Sequence, residues 1–259
     1  MEQTFRTPFA GMIRIRFCGC VLSLDDEAPR YAEASITNMS RARYDGLAEW
    51  YDRTFATGEL AMLPRETARR LLGDGPGQLL DVGCGTGAHT QAFAERGWSV
   101  VGVDISEDQL ALARERGLEA VQGDAADLPF DDESFDAVVS MWTHTDVEDF
   151  SDLLREVVRV LRPRGPFVYV GAHPCFVGPH SYFVEAQGLP VLHPGYWEIG
   201  RYTEAPGISA TGLRAKVGGV HLPLGRFMQS FLDTGLTLES FEELERREYP
   251  YTVALRCRR

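Results

Sequence analysis

The segment Asp81-x-Gly83-x-Gly85-x-Gly87 constrains this chain more than any other. It follows an apolar run, Leu79-Leu80-Asp81-Val82, and precedes residues 88–96, which read as a helix closed by Gly97. Glycines between a strand and a helix let the backbone turn tightly, and they bring the unpaired N–H groups of a helix start close to a ligand. The same rhythm then repeats. Ser99 to Asp104 is a second strand, and Ser106 with Gln109 predicts a capping box opening a helix that ends at Gly117. A third strand is expected over 119–121 and a fourth over 135–139. Phe150, Leu153, Leu154, Val157, Val158 and Leu161 mark an amphipathic helix that stops at Arg162-Pro163, ahead of a fifth strand over 167–172. Alternating strands and helices of these lengths predict a parallel sheet covered on both faces.

The flanks differ. Tyr44, Leu47, Ala48 and Tyr51 recur at helical spacing, which predicts an amphipathic helix from Arg41 to Thr54. A second helix is expected over 63–72, ended by Gly73-Asp74-Gly75-Pro76-Gly77. Residues 1–40 show no period and read as a leader, either disordered or belonging to a gene start placed upstream of Met39. After Ala172 the alternation lapses over 173–223, too long for a plain connection. This stretch carries Phe176, Tyr182, Phe183, Trp197 and Tyr202, and it reads as an inserted lid over an apolar acceptor pocket or as an aromatic pad against the sheet. A helix over 225–233 and a terminal antiparallel hairpin over 236–244 and 251–258 complete a domain spanning 41–259.

Composition narrows the partners. A length of 259 residues allows one large domain, or one domain with an insert. The formal net charge of −12 speaks against nucleic acid as the main partner, because phosphate binding needs clustered Lys and Arg. No run reaches the roughly 18 apolar residues of a membrane helix. Between Met12 and Leu24 there is a faint likeness to a signal peptide, but Arg14 and Arg16 interrupt the apolar stretch. The five cysteines are scattered at neither disulfide-framework nor zinc spacing, so a reduced cytoplasmic protein without metal is expected.

The glycine loop alone leaves two ligands open. Gly83-x-Gly85-x-x-Ala88 also fits a dinucleotide fingerprint, and Asp104 at the end of the second strand suits ribose hydroxyls in either case. Asp81, two residues before the first glycine, suits a cationic ligand better than a pyrophosphate. Downstream stand Gly123-Asp124-Ala125-Ala126-Asp127-Leu128-Pro129-Phe130, Phe135-Asp136-Ala137-Val138-Val139-Ser140 and Leu161-Arg162-Pro163-Arg164-Gly165. In this order the blocks resemble the class I S-adenosylmethionine-dependent methyltransferases, in particular the small-molecule group near the ubiquinone-biosynthesis type. The resemblance covers residues 41–172 strongly and 217–259 more weakly.

That resemblance implies an α/β, Rossmann-like doubly wound sheet, mostly parallel with a terminal antiparallel hairpin, in strand order 3-2-1-4-5-7-6. It implies S-adenosylmethionine as cofactor and S-adenosylhomocysteine as product. Asp81, Gly83, Gly85 and Gly87 match the motif around the methionine part, and Asp104 matches the ribose-binding acid with Ile105 beside the adenine. Asp124 and Ala125 match the pair at the adenine amino group and ring. Ser140, Met141 and Trp142 end the fourth strand at the cleft, and Tyr44 and Tyr51 resemble the helix that covers the cofactor. Among six histidines, His144 and His173 follow strand ends, where open α/β sheets bind ligands. His221 lies in a segment that relatives place beside the acceptor, although Leu222 and Pro223 stand where many of them carry His and Arg. These three are the candidate bases. The implied reaction is methyl transfer to a small molecule, preferably a hydroxyl of an aromatic or polyketide-like metabolite, by a monomer or homodimer. The alternative is a non-methylating reaction, such as a cyclisation, on the same fold.

Overall fold

Strand residues of alternating facing build the centre of the molecule. The computed structural model describes residues 2–6, 12–16, 42–58, 61–184, 189–208, 212–244 and 248–259, with the backbone alone described for 2–6, 12–16 and 182–184. The chain divides into two units, Met1–Met39 and Ser40–Arg259. In the first, β1 (Glu2–Arg6) and β2 (Met12–Arg16) pair antiparallel, with Glu2 opposite Arg16. The rest of the expected leader lies outside the described residues.

The second unit starts with α1 (Ala48–Tyr51), which runs on as a π-helical turn (Asp52–Ala56), and α2 (Met62–Leu72). Then come β3 (Gly77–Val82), α3 (Gln91–Ala94), β4 (Trp98–Asp104), α4 (Glu107–Glu115), β5 (Glu119–Gln122), β6 (Ala137–Met141), α5 (Phe150–Val160) and β7 (Pro166–Ala172). The stretch expected as an insert holds β8 (Ser181–Val184) paired with β9 (Leu189–Leu192). It also holds β10 (Gly200–Tyr202), α6 (Leu213–Val217) and β11 (Gly219–His221), with β10 paired to β11. The chain ends with α7 (Leu224–Asp233), β12 (Thr237–Leu244) and β13 (Thr252–Arg258).

Seven strands form one sheet in the order β12-β13-β7-β6-β3-β4-β5. Numbered from β3 as the first, with β12 sixth and β13 seventh, this is the order 3-2-1-4-5-7-6. Strands β3 to β7 pair parallel, and β13 joins antiparallel to both β7 and β12. Successive side chains on a strand point to opposite faces, and the core shows it. Leu80, Val138, Phe167 and Tyr169 pack with α5 and α7 through Leu153, Leu154, Val157, Phe227 and Phe231. Their neighbours Leu79, Ala137, Val139, Val168 and Val170 pack on the other face with Ala68, Leu71 and Leu72 of α2 and with Phe93. A sheet sealed on both faces leaves its strand ends as the place for a ligand.

Three local expectations are corrected. The expected helix over 41–54 is one α-turn and one π-turn, preceded by turns over 43–47. Its wider turn closes with Thr57 N–H donating to Asp52 O at 3.1 Å, while the Asp52 side chain is drawn toward the glycine loop. The helix expected over 88–96 is the single turn α3, because Thr90 turns its hydroxyl back to Asp81 at 2.6 Å. The capping box is half made. Ser106 Oγ accepts from Gln109 N at 3.4 Å, but Ser106 N–H donates to Asp104 Oδ1 at 3.0 Å instead of to Gln109. Among the described residues no helix is long and apolar enough to cross a membrane.

Candidate cofactor cleft

A small cleft opens at the carboxyl ends of β3 and β6. Its floor is Asp81, Gly83, Cys84, Gly85 and Thr86, and its walls are Tyr51 and Ala56 from the amino-terminal cap, His89, Met141 and Trp142. Two glycines explain the shape. Gly83 has φ +74°, and a Cβ there would lie 2.3 Å from Thr143 Cγ2, so the loop packs directly against the end of β6. Gly85 has φ +55°, and a Cβ there would meet nothing nearer than Gln109 Oε1 at 3.5 Å, so the space beside it stays open. Trp142, a non-glycine residue, is held at φ +66°, a costly conformation that turns the chain sharply after β6.

Two carboxylates define the electrostatics. Asp81 is 2% exposed, and burial pushes its pKa up to about 7, with the Thr90 hydroxyl pulling the other way and Asp104 adding to the rise. Asp104 accepts from Gly85 N at 2.9 Å and from Ser106 N at 3.0 Å, and burial raises its pKa against those bonds. Gly85, in the loop, is thereby bound to the end of β4. Nearby, Gln109 Oε1 and His89 Nδ1 are buried polar atoms without a hydrogen-bond partner. An open cradle at Gly85, the buried Asp81, the half-buried Asp104 and orphaned polar atoms fit a group that carries hydroxyls and positive charge, as S-adenosylmethionine does.

The cap is fastened to the loop by polar bonds. Asp52 accepts from Thr86 Oγ1 at 2.6 Å and pairs with Arg116 Nη2 at 2.7 Å. Asp45 accepts from Ser106 Oγ at 2.7 Å. Tyr44 and Tyr51 meet edge to face, with centroids 5.4 Å apart, and burial keeps both phenols protonated by raising their pKa values.

The other expected residues are more dispersed. Ile105 is 53% exposed and stands beyond Asp104. Asp124 is exposed, and one of its carboxylate oxygens accepts from Ala126 N at 2.9 Å. Ala125 packs against the core edge. Ser140 is fully buried and turned away from the cleft: its hydroxyl donates to Val82 O at 2.8 Å and lies 2.7 Å from Thr143 Oγ1.

None of the three candidate bases lines this cleft. His144 is buried in an aromatic cluster with Phe150, Tyr169 and Phe227, and its Nδ1 is bonded to the Tyr169 hydroxyl. Burial, with Arg214 and His221 nearby, lowers its pKa to about 3. His173 has both ring nitrogens engaged, Nε2 with Glu243 at 2.7 Å and Nδ1 accepting from Cys175 N at 3.1 Å. His221 bonds through Nε2 to Tyr196 O at 2.8 Å, and burial lowers its pKa to about 4. Of the aromatics in the expected lid, Phe176 packs on His173 and Tyr249, whereas Trp197 is 80% exposed. The side chains of Tyr182 and Phe183 lie outside the described residues.

Motif reading passed over one polar cluster. Asp146, just past β6, pairs with Arg214 of α6 at 2.6 Å and accepts from Tyr44 OH at 3.1 Å. Neither residue belongs to a sequence motif, and 68 positions separate them.

Residues 80–169 match a protein family described as a methyltransferase domain. Over 128 residues the chain is 41% identical to the demethylmenaquinone methyltransferase of Mycobacterium marinum, covering 48% of this chain and 55% of that protein. Over 103 residues it is 43% identical to the fatty-acid O-methyltransferase of Mycolicibacterium smegmatis, covering 38% of each. The chain thus spans about half of the first relative's length and less of the second's. A crystal structure of an S-adenosylmethionine-dependent methyltransferase from Mesorhizobium loti superposes with a TM-score of 0.62 at 26% identity, covering 83% of this chain and 99% of that one. The sequence match, the sheet order and the glycine cleft agree: residues 80–169 match a methyltransferase domain, and the chain has the fold of the class I S-adenosylmethionine-dependent methyltransferases.

Proposed function

We propose that the protein transfers a methyl group from S-adenosylmethionine to a small-molecule acceptor, and that the acceptor atom is the oxygen of an acidic hydroxyl on an aromatic or polyketide-like molecule. The observation that carries the first half is the glycine cleft with Asp81 at its floor, Asp104 bound to the loop at Gly85, and Tyr51 and Trp142 at its walls. When bound, the cofactor supplies a methyl on a positively charged sulfur, open to in-line displacement. Asp104 would hold the ribose hydroxyls, the loop around Gly85 would offer its backbone to the amino-acid end, and Tyr51, Met141 and Trp142 would exclude water. Alignment and dryness are the main demands of such a displacement.

The hydroxyl preference rests on the histidines. His144 and His221 are held neutral by burial and are therefore weak bases at neutral pH. A weak base serves an acidic, phenol-like hydroxyl better than an alkyl alcohol. We assign proton acceptance to one of these two, and to His173 the joining of strand ends through Glu243. Both similar methyltransferases named above carry small-molecule substrates in their names, which supports the acceptor class. The chain's acidity supports the absence of a nucleic-acid partner, and we place the protein in the cytoplasm as a monomer or homodimer without a membrane partner.

The test is incubation with methyl-labelled cofactor and a panel of phenols, polyketide-like hydroxyls, fatty acids and tRNA. Label in a phenolic product, with one S-adenosylhomocysteine formed per methyl, is the expected result. Label in the fatty acid or the tRNA instead would overturn the acceptor reading. Acceptor conversion without S-adenosylhomocysteine would replace it with a non-methylating reaction.

A further inference from the structure

The connection between β6 and α5 presents two carboxylates, Asp146 and Glu148, and each bridges the amino-terminal cap to the stretch between β7 and α7. Asp146 takes the Tyr44 hydroxyl at 3.1 Å from the cap and Arg214 at 2.6 Å from α6. Arg214 is held further by Thr145 Oγ1 at 2.7 Å and by Gly218 O at 3.1 Å. Glu148 pairs with Arg43 of the cap and with Arg201 of β10, the latter at 2.5 Å. A third link is Lys216 of α6, whose ammonium lies 5.0 Å from the Trp50 ring.

The two bridges are unlike in their surroundings. Glu148 is 67% exposed, where an ion pair contributes little. Asp146 and Arg214 are 22% and 24% exposed, and Arg214 makes four hydrogen bonds that fix its plane. A half-buried, hydrogen-bonded pair is costly to break from one side, because the remaining charge is left uncompensated. Tyr44 rests edge to face on Tyr51, and Tyr51 is a wall of the cofactor cleft. A chain of direct contacts therefore runs from α6 to the cleft: Arg214 to Asp146, Asp146 to Tyr44, Tyr44 to Tyr51.

We propose that Arg214 is a positioning residue for the cofactor cleft, acting through Asp146 on Tyr44 and Tyr51, so that the acceptor-side segment and the cofactor cap close as one piece. The inference rests on the cofactor assignment of that cleft. Arg214 does not line the cleft, so a loss of cofactor affinity on its substitution would have to travel through the Asp146 carboxylate. Contacts of this kind carry couplings of about fivefold or more.

The experiment is calorimetric titration of S-adenosylhomocysteine into the full chain and into Tyr44→Phe, Arg214→Met and the double variant, with thermal melts alongside. The expected result is about a tenfold loss of affinity in each single variant and little further loss in the double, since both substitutions act on one carboxylate. Arg214→Lys, which keeps the charge but not the planar fork, should recover part of the loss. Unchanged affinity in a folded Arg214→Met protein, or fully additive losses in the double variant, would overturn the inference. If Arg214→Met fails to fold, Arg214→Lys and Tyr44→Phe carry the same comparison. Failure of the unaltered chain to bind S-adenosylhomocysteine would instead sink the cofactor assignment.

Discussion

Asp81 is poised near neutrality, and that gives the cofactor cleft a pH dependence with a definite sign. Its pKa rises to about 7 in the folded chain, against roughly 4 for a solvated carboxyl. The stability tied to the protonated acid is therefore fully present below pH ~4 and is lost as pH rises through 7. A ligand bearing an ammonium group reverses the preference, because it favours the ionised carboxylate. Affinity for S-adenosylhomocysteine should thus rise as pH goes from 6 to 7.5, by at most about tenfold per unit, and then level off. In Asp81→Asn the affinity should be lower and flat with pH, while the ligand-free protein should melt higher at pH 8. Calorimetry at several pH values reads both effects, and a flat profile for the unaltered chain would remove Asp81 from the cationic end of the site. Asp104 makes a different prediction. Its carboxylate already accepts two backbone N–H groups, so Asp104→Ala should weaken cofactor binding at every pH, by lost ribose contacts and by a loosened Gly85. Unchanged affinity in that variant would count against the ribose role.

Elements set by local pattern and elements set by distant contacts part company in this chain. The amphipathic run of α5 could be read directly, because Leu153, Leu154, Val157 and Leu161 recur at helical spacing and are all fully buried. Beneath them Phe231 of α7 is 1% exposed, with its ring 5.5 Å from Phe150 and 5.2 Å from Phe227. Phe231→Ala should cost about 3–5 kcal/mol and lower the melting temperature by roughly 10 °C. A shift below a few degrees in a thermal melt would mean that the aromatic cluster repacks. The paired acids and glycines of the loop were equally legible, since their spacing is itself the signal. The shortness of α3 was not, because it depends on a bond from Thr90 to Asp81 across the loop. Nor was the π-turn after α1, where Asp52 is drawn to Thr86 and Arg116. Ser140 looked like a cleft residue by position alone, yet its hydroxyl serves the Val82 carbonyl in the sheet. The Asp146–Arg214 pair carries no local pattern at all, because it joins segments brought together only by the fold.

At the scale of the whole molecule, the chain's acidity and its division into two units bear on what the domain needs to work. Bonds that fix the cleft begin at Arg43, Tyr44 and Asp45, and among the described residues their partners lie within Ser40–Arg259. The β1–β2 ladder belongs to the other unit. We expect a chain starting at Ser40 to bind S-adenosylhomocysteine within about twofold of the full chain and to melt within roughly 3 °C of it, a stability difference near 1 kcal/mol for a domain of this size. Removing residues as far as Gly46 should behave differently. That deletion takes away Tyr44, which leaves Tyr51 without its edge-to-face neighbour on the Asp146 side, and Asp45, which leaves the Ser106 hydroxyl without its carboxylate acceptor. Affinity should then fall at least tenfold, the scale of a lost coupling of about 1.4 kcal/mol. If the shorter deletion already abolished binding, residues 1–39 would have to reach the cleft, and the domain boundary placed before Ser40 would be wrong. If the longer one bound normally, the cap would be dispensable, and the route from Arg214 to Tyr51 would have no role in holding the cofactor.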